Sequence, residues 1–575
     1  MAQWKDRELE QTHLWKLYQQ GIEYQSLTGM RASIPKFVDF YEGRQWPAPT
    51  ESTKNLPRPV VNIVKMICRS KKSSILSTPV RLVYKSFTPG TNVEKFNSFA
   101  QSVQKEIGQD MIDREAIDDG VKKGSYFYHY YWDKDAITIS GRIEGGVRCE
   151  LIDPLNIFFS NPSLTNEQEQ SWILISSSKE LDKIIEMCDK DTDKSLIQED
   201  GDEDNGAKHL SAPTATLLTR YFRINGEVYC ERATKNAIVN KPFPITPNHT
   251  AMERFLAFGE KSDNEQGSDS QATEQQIYKK SSSIFTKKPL KATLYPIVCG
   301  YYERKEGSIY GISEVEGIIP NQKAINFNLA MSLLNAQQCA WGKFIALPNA
   351  LKGQKISNTP GQVLIDHSGT GDGIKRMKEE YISEAPIALS KSLTEMTRVF
   401  TGATEIISSE ALSSSMSGVA IAQLQAQAEV PLEDLRAGFW EAKRKQGLIL
   451  AQFFKLYYYE REFIKKTKDN AGEDKEEIDT FSSSEYESSV FDVIVEPVGG
   501  TKASVASDIS MLDNCLKNGS ISLETYIKAY PDSAINNKQE ILEQIKAEKS
   551  SEIIQLRKEL ERYKNSKTAD PVSIV

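Results

Sequence analysis

The residues of this 575-residue chain that could do chemistry are few and widely spaced. Gly369, Gly371 and Gly373 stand near Lys375 in HSGTGDGIK (367–375), where backbone N–H groups could cradle a phosphate. The glycines alternate evenly, however, and the strand–loop–helix setting of a phosphate loop is missing, so a tight turn is expected. Gly259-Glu260-Lys261-Ser262 and Gly500-Thr501-Lys502 are fragments of the same pattern, and G-x-x-x-x-G-K-[ST] occurs nowhere. Asp189, Asp191 and Asp193 have the 1-3-5 spacing of a calcium loop. Lys194 then stands where glycine is needed, and Asp200 stands where a bidentate glutamate is needed, so a solvated acidic loop is expected. His13, His129, His209, His249 and His367 are scattered and suggest neither a zinc site nor a nucleophile–base pair. The aromatic run Tyr126–Trp132 could stack bases, but no Lys or Arg interleaves it, and a strand burying its rings fits better. No cofactor, metal or catalytic residue is expected.

Composition narrows the class. Hydrophobic residues make up 39% and charged residues 26%, as in a folded chain long enough for three or four domains. The net charge of −8 argues against a protein that grips nucleic acid over a broad basic surface. The seven cysteines contain no Cys-x-x-Cys pair and the N-terminus has no apolar signal core, which points to reduced thiols in a cytoplasm. The uncharged stretch 324–342 carries too many amides for lipid, so it reads as a buried or partner-facing helix, and no membrane partner is expected.

These scattered groups depend on the elements around them. Residues 1–30 read as an amphipathic helix, RPVVNIVKMICRS (58–70) as a buried run, and GSYFYHYYWD (124–133) and VRCELIDPLNIFFSNP (147–162) as strands. Residues 189–206 and 259–276 are polar interruptions. From Gly311 to about Ala340 a helix of roughly 45 Å is expected, with Pro320 beginning or kinking it. Strand-like and Gly-rich pieces follow, then a helix at 386–400. A second long helix from 418 to about Lys465 should kink at Pro431. Ile553, Leu556, Leu560 and Tyr563 suggest a short coiled-coil contact within 538–565.

The order of several segments resembles bacteriophage portal proteins. FYEGRQWP (40–47) with RPVVN, then GSYFYHYYWD, then ELIDPLNIFFSNP with SWILIS (171–176), is similar to the first half of such proteins. YGISEVEGIIPNQKAINFNLAMSLL (310–334), with its Gln322–Asn326 pair, resembles the lead-in to their first stem helix. FTGATEIISSEALSSSMSGVAIAQLQ (400–425) resembles the end of the second stem helix, the tunnel loop and the start of the long wing helix. The similarity spans roughly residues 30–500.

The resemblance implies an α+β, multi-domain subunit. A wing would cover 1–310, a first stem helix 311–341, a small α/β clip 342–385 and a second stem helix 386–401. A tunnel loop would follow at 402–417, a kinked wing helix with a return strand at 418–499, and a helical crown at 500–575. It implies a homo-oligomeric ring of about twelve in the virion. The ring's partners would be the terminase large subunit, a capsid or scaffold protein, a head-completion or tail adaptor, and the double-stranded DNA passing through it. The clip would dock the motor and adaptor through Lys343, Lys352, Lys355, Lys375, Arg376 and Lys378, a local excess of base in an acidic chain. The tunnel loop would meet DNA through Glu405, Ile406, Ile407, Ser408, Ser409, Glu410, Leu412, Ser413, Ser414, Ser415 and Met416. No Lys or Arg lies between Arg398 and Arg436, so sliding duplex would find hydroxyls rather than ion pairs there. Two other classes stay open on the residues alone: an enzyme, such as a nuclease or protease, and another virion component of the minor capsid or tail.

Overall fold

The computed structural model describes residues 11–54, 56–137, 141–199, 213–247, 290–340, 344–348, 350–355, 363, 365–369, 372–376, 385–402, 432–468, 474–497, 502–530, 541–542, 544–545 and 557–560. The chain is α+β. Helix α1 (His13–Leu27) is capped by Thr12, whose hydroxyl accepts the Trp15 N–H. After Gly29, α2 (Met30–Glu42) follows, then α3 (Ile63–Ile75) and strand β1 (Val80–Ser86). α4 (Val93–Ile107) and α5 (Gln109–Lys123) are parted by Gly108 in a left-handed conformation, which ends one helix and starts the next.

β2 (Ser125–Asp133) is the centre of a three-stranded antiparallel sheet, between β3 (Gly146–Ile152) and β9 (Ile297–Tyr301). Its aromatics are buried on both faces, which is why the sequence reads as a continuous apolar run. Tyr128 and Tyr130 bond to side chains of α5, and the Tyr126 ring lies against Gly120 of the same helix. Phe127 joins the opposite core with Ile157, Phe159, Ile173, Tyr221 and Tyr310.

That core also lines one face of a five-stranded antiparallel sheet. Its order is β4 (Ile157–Phe159), β5 (Trp172–Glu180), β6 (Thr214–Ile224), β7 (Glu227–Ala233) and β8 (Ile238–Pro244). The sheet's other face carries Phe158, Leu174, Leu218 and Ala233, which pack under Leu14, Trp15 and Tyr18 of α1. A short helix α6 (Leu181–Met187) covers one end.

The second half begins with α7 (Glu314–Ala340), roughly 40 Å long. Pro320 lies inside it rather than at its start, so the helix forgoes one backbone hydrogen bond there. A hairpin of β10 (Phe344–Ala346) and β11 (Ile374–Arg376) leads to α8 (Ala385–Phe400). α9 (Glu433–Tyr457) is buried along much of its length, and it ends eight residues before the expected Lys465. From there β12 (Glu460–Lys468) pairs with β13 (Asp474–Ser482), because buried Arg461 and Phe463 alternate with exposed Glu462 and Ile464 at a strand's period. The hairpin joins an aromatic cluster in which Phe99 stacks on Phe481 at 3.9 Å and Phe96 on Phe491 at 4.1 Å. β14 (Phe491–Pro497) pairs with β1.

A second compact unit comprises residues 76–81, 404–433 and 496–575. Its described helices are α10 (Lys502–Lys517) and α11 (Leu523–Ala529), joined by a bond from the Tyr526 hydroxyl to Asp513 at 2.5 Å. Most of the expected coiled-coil stretch, Pro431 and the helix start at 418 lie outside the described residues, as do residues 259–276 and Asp200.

Candidate functional site

Gln322 and Asn326 sit one turn apart on α7, so their amides share a face. Both are buried, Gln322 completely. Gln322 Oε1 accepts the backbone N–H groups of Ile63 at 3.0 Å and Val64 at 3.3 Å, in the first turn of α3. Asn62 Oδ1 takes the next one, from Lys65, at 3.0 Å. The exposed donors that every helix start leaves are thus satisfied by side chains, one of them about 260 positions away in sequence. Gln322 Nε2 donates to Val61 O at 2.8 Å and to Asn326 Oδ1 at 3.0 Å, and Asn326 Nδ2 donates to Gln45 Oε1 at 2.6 Å. Gln45 donates in turn to Phe40 O at 2.8 Å, and Trp46 Nε1 to Pro59 O at 2.9 Å. FYEGRQWP, RPVVN and the Gln322–Asn326 pair, three of the segments that carry the portal resemblance, therefore form one polar lock.

A second lock fixes the start of α7. Ser313 Oγ donates to the last carbonyls of α5, Val121 O at 3.0 Å and Lys122 O at 2.7 Å, and accepts the Val315 N–H at 3.1 Å. Gly124 and Gly311 pass backbone to backbone: a Cβ on Gly311 would lie 2.5 Å from Gly124 O. Gly124 also has φ +89°, so no other residue fits there cheaply. Beside them the Tyr302 hydroxyl donates to Glu314 Oε2 at 2.7 Å. Burial pushes the Glu314 carboxyl above its ordinary range, and burial lowers the nearby Lys71 ammonium.

Behind β2, Asp113 of α5 and Lys443 of α9 form a buried ion pair. The Tyr128 hydroxyl and Gln109 Nε2 each donate to Asp113 at 3.0 Å, and the Tyr130 hydroxyl donates to Gln109 Oε1 at 3.0 Å. Glu167, also buried, pairs with Lys445 at 2.8 Å. Sequence reading missed both pairs, since one lysine among many on α9 carries no local mark of a buried partner.

From this base α7 and α8 extend as an antiparallel pair. Asn321 Nδ2 donates to Thr397 Oγ1 at 3.0 Å, and the Phe400 ring lies near Gly317. The pair also exposes large apolar side chains among Lys391 and Glu395: Phe327 is 57% accessible, Val399 69% and Phe400 77%, with Met331, Leu333, Ile387 and Met396 also open.

At the far end Phe344 pairs with Arg376, Ile345 with Lys375 and Ala346 with Ile374. Asp366 directs its carboxylate into the loop, accepting the Ser368 and Gly373 N–H groups at 2.8 Å each. It occupies donors that a phosphate would need, and Thr370 and Gly371 of HSGTGDG lie outside the described residues. Of the six basic residues, Lys352, Lys355 and Lys375 are exposed; Lys375 pairs with Asp372 at 3.0 Å. Arg376 lies on β11, and Lys343 and Lys378 fall outside the described residues, as do Glu405–Met416 of the expected tunnel loop.

The remaining candidates are structural. His129 is buried and bridges Glu150 Oε1 and the Tyr221 hydroxyl at 2.8 Å each, a satisfied core histidine. Asp189 accepts from Asn240 at 3.0 Å and from the Lys241 N–H at 2.9 Å, so it braces β8 rather than standing free in solvent. Among the described residues no group of three His, Cys, Asp or Glu is placed to hold a metal, and no helix is long and apolar enough to cross a membrane.

Comparison with individual curated proteins finds no match. Residues 18–497, by contrast, match the sequence model of the Phage P22-like portal proteins, a span that takes in both locks, the helix pair, α9 and the β12–β13 hairpin. The chain belongs to the P22-like phage portal protein family, whose members are structural head–tail connectors of the virion.

Proposed function

We propose that the chain is one subunit of a closed ring of about twelve copies at a single capsid vertex. The ring conducts double-stranded DNA during packaging and ejection. It docks the terminase large subunit first and head-completion or tail adaptors later, and it joins the capsid or its scaffold in the host cytoplasm. In this reading α7 and α8 are the stem, residues 342–385 the clip, 402–417 the tunnel loop and 500–575 the crown.

The observation that carries the reading is the helix pair. Two firmly anchored helices expose large apolar side chains along their length, and each such side chain gains about 1.5–3 kcal/mol on burial. A monomer has no use for that surface, and a neighbouring copy supplies the cover. Closed cyclic symmetry buries it in every subunit without leaving a free end. The ring reading is tested by native mass measurement and low-resolution imaging of the purified protein, which should show a closed ring with a through-channel. A chain that stays monomeric at micromolar concentration, and is not driven into rings by capsid or scaffold protein, sinks it.

A further inference from the structure

β12 and β13 make a sheet of two strands only, so each has an outer edge with no strand beside it among the described residues. Their base is fixed: Phe463 and Phe481 are buried, and Lys95 of α4 reaches Asp479 at 3.8 Å and Glu485 at 3.6 Å. Beyond the base Lys465 still reaches back to Glu94 of α4 at 4.0 Å. Ile464 and Ile478 lie opposite each other in register, 46% and 77% exposed. Farther out, register sets Lys465 opposite Glu477, Lys466 opposite Glu476 and Lys468 opposite Asp474. Residues 465–468 of β12 therefore carry three lysines and no acid, whereas 474–477 of β13 carry three acids and one lysine.

Opposite charges across one hairpin steady that hairpin, and this accounts for the pairs taken alone. It does not account for an exposed isoleucine pair on an extended ribbon whose register runs without a bulge from Glu460↔Ser482 to Lys468↔Asp474. Straight, unbulged edges are the kind that recruit another strand. The charge pattern selects which strand. A lysine-rich edge repels a second β12 and attracts the acidic β13.

We infer that the hairpin is an interface between copies of this chain, the β12 edge of one laid along the β13 edge of the next. The inference rests on the ring reading above and names one of the ring's contacts. The strand directions agree with it. In a cyclic ring every copy points the same way, so β13 of one subunit runs opposite to β12 of its neighbour, and the hairpins join as a continuous antiparallel belt. The contact is heterologous, as ring closure requires.

The test exchanges charge between the strands at the two outer pairs in the full-length chain, K466E/K468E/D474K/E476K, and leaves Lys465 on Glu94. Every pair within the hairpin survives, as does every pair between swapped copies. A junction between a swapped and a wild-type copy places like charge against like on both sides. Swapped and wild-type chains of different tagged mass are assembled together and the rings are weighed intact. Cross-strand pairs turn from opposite to like charge at each heterotypic junction, so mixed rings should be depleted about fivefold or more per such junction relative to a binomial distribution. Random mixing in rings that do form overturns the hairpin interface and leaves the ring reading standing. Failure of the swapped chain to form rings by itself, with its fold intact by circular dichroism, also overturns it; the milder K466E/E476K exchange serves if the fourfold variant does not fold. If the wild-type chain makes no ring, the ring reading falls and this interface with it.

Discussion

Replacing Gln322 with leucine probes the first lock with little change in volume. The wild-type amide makes four hydrogen bonds in a site with no solvent access: two accepted from Ile63 and Val64, two donated to Val61 and Asn326. Losing the helix-start contacts should cost about 1 kcal/mol, the usual value of an N-cap. The Val61 carbonyl keeps the Ile63 N–H at 2.9 Å, whereas Asn326 Oδ1 is left with only the Val61 N–H at 3.4 Å, and that weakened buried amide adds about 1–3 kcal/mol. Partial relaxation of the 43–62 segment offsets some of this, so a net loss of about 1–3 kcal/mol is expected. With an unfolding entropy of about 2.1 cal/mol/K per residue, a unit of this size loses about 1 °C per kcal/mol, a fall of about 1–3 °C in Tm. Hydrogen exchange reads the site more directly. The Val64 amide should lose protection by at least about tenfold and the Ile63 amide less, since it also donates to Val61 O at 2.9 Å, while those of α1 and the five-stranded sheet keep theirs. Unchanged protection at Ile63 and Val64, together with an unchanged Tm, would refute the claim that α7 caps α3.

The other expectations follow from the same geometry. G311A drives a Cβ into the carbonyl oxygens of Gly124 and Glu303, and should destabilise the chain by about 3 kcal/mol in a denaturant titration, more than alanine at the open Gly307. Burial holds the Glu314 carboxyl above its ordinary range, so the native state keeps a proton that the unfolded chain releases. Stability should therefore decline as pH rises from the ordinary glutamate range through the raised native value, and E314Q should flatten that decline in melts run across the interval. Charge reversal at Lys375, Arg376 and Lys378 should weaken binding of terminase or adaptor in a pull-down while rings still form; undiminished binding removes the clip from docking. Deleting residues 405–416 should permit ring and capsid assembly but impair packaging or genome retention, measured as DNA per capsid. A lysine at Ser409 or Ser413 should slow translocation in a salt-dependent way.

Much of the fold was written locally. The aromatic run at 125–133 demanded a strand, since nothing else buries tyrosines on both faces of so short a segment, and the small and amide residues of 314–340 fitted a helix facing protein rather than lipid. The order of segments was enough to point to the portal family, because that order is a property of the chain itself. Boundaries set by competing local signals were less legible. Tyr457 ends α9 because Arg461 and Phe463 find burial on a strand, a choice that rests on α4 and β13 and not on the residues next to it. Asp189 read as a solvated acid until β8 brought Lys241 and Asn240 beside it. What only the tertiary structure decided were the partners. Gln322 finds the start of α3, Ser313 the end of α5 and Asp113 a lysine on α9. A sequence shows that a residue is polar and on which face of a helix it lies. It does not show which distant backbone group, stripped of water by burial, that residue must satisfy.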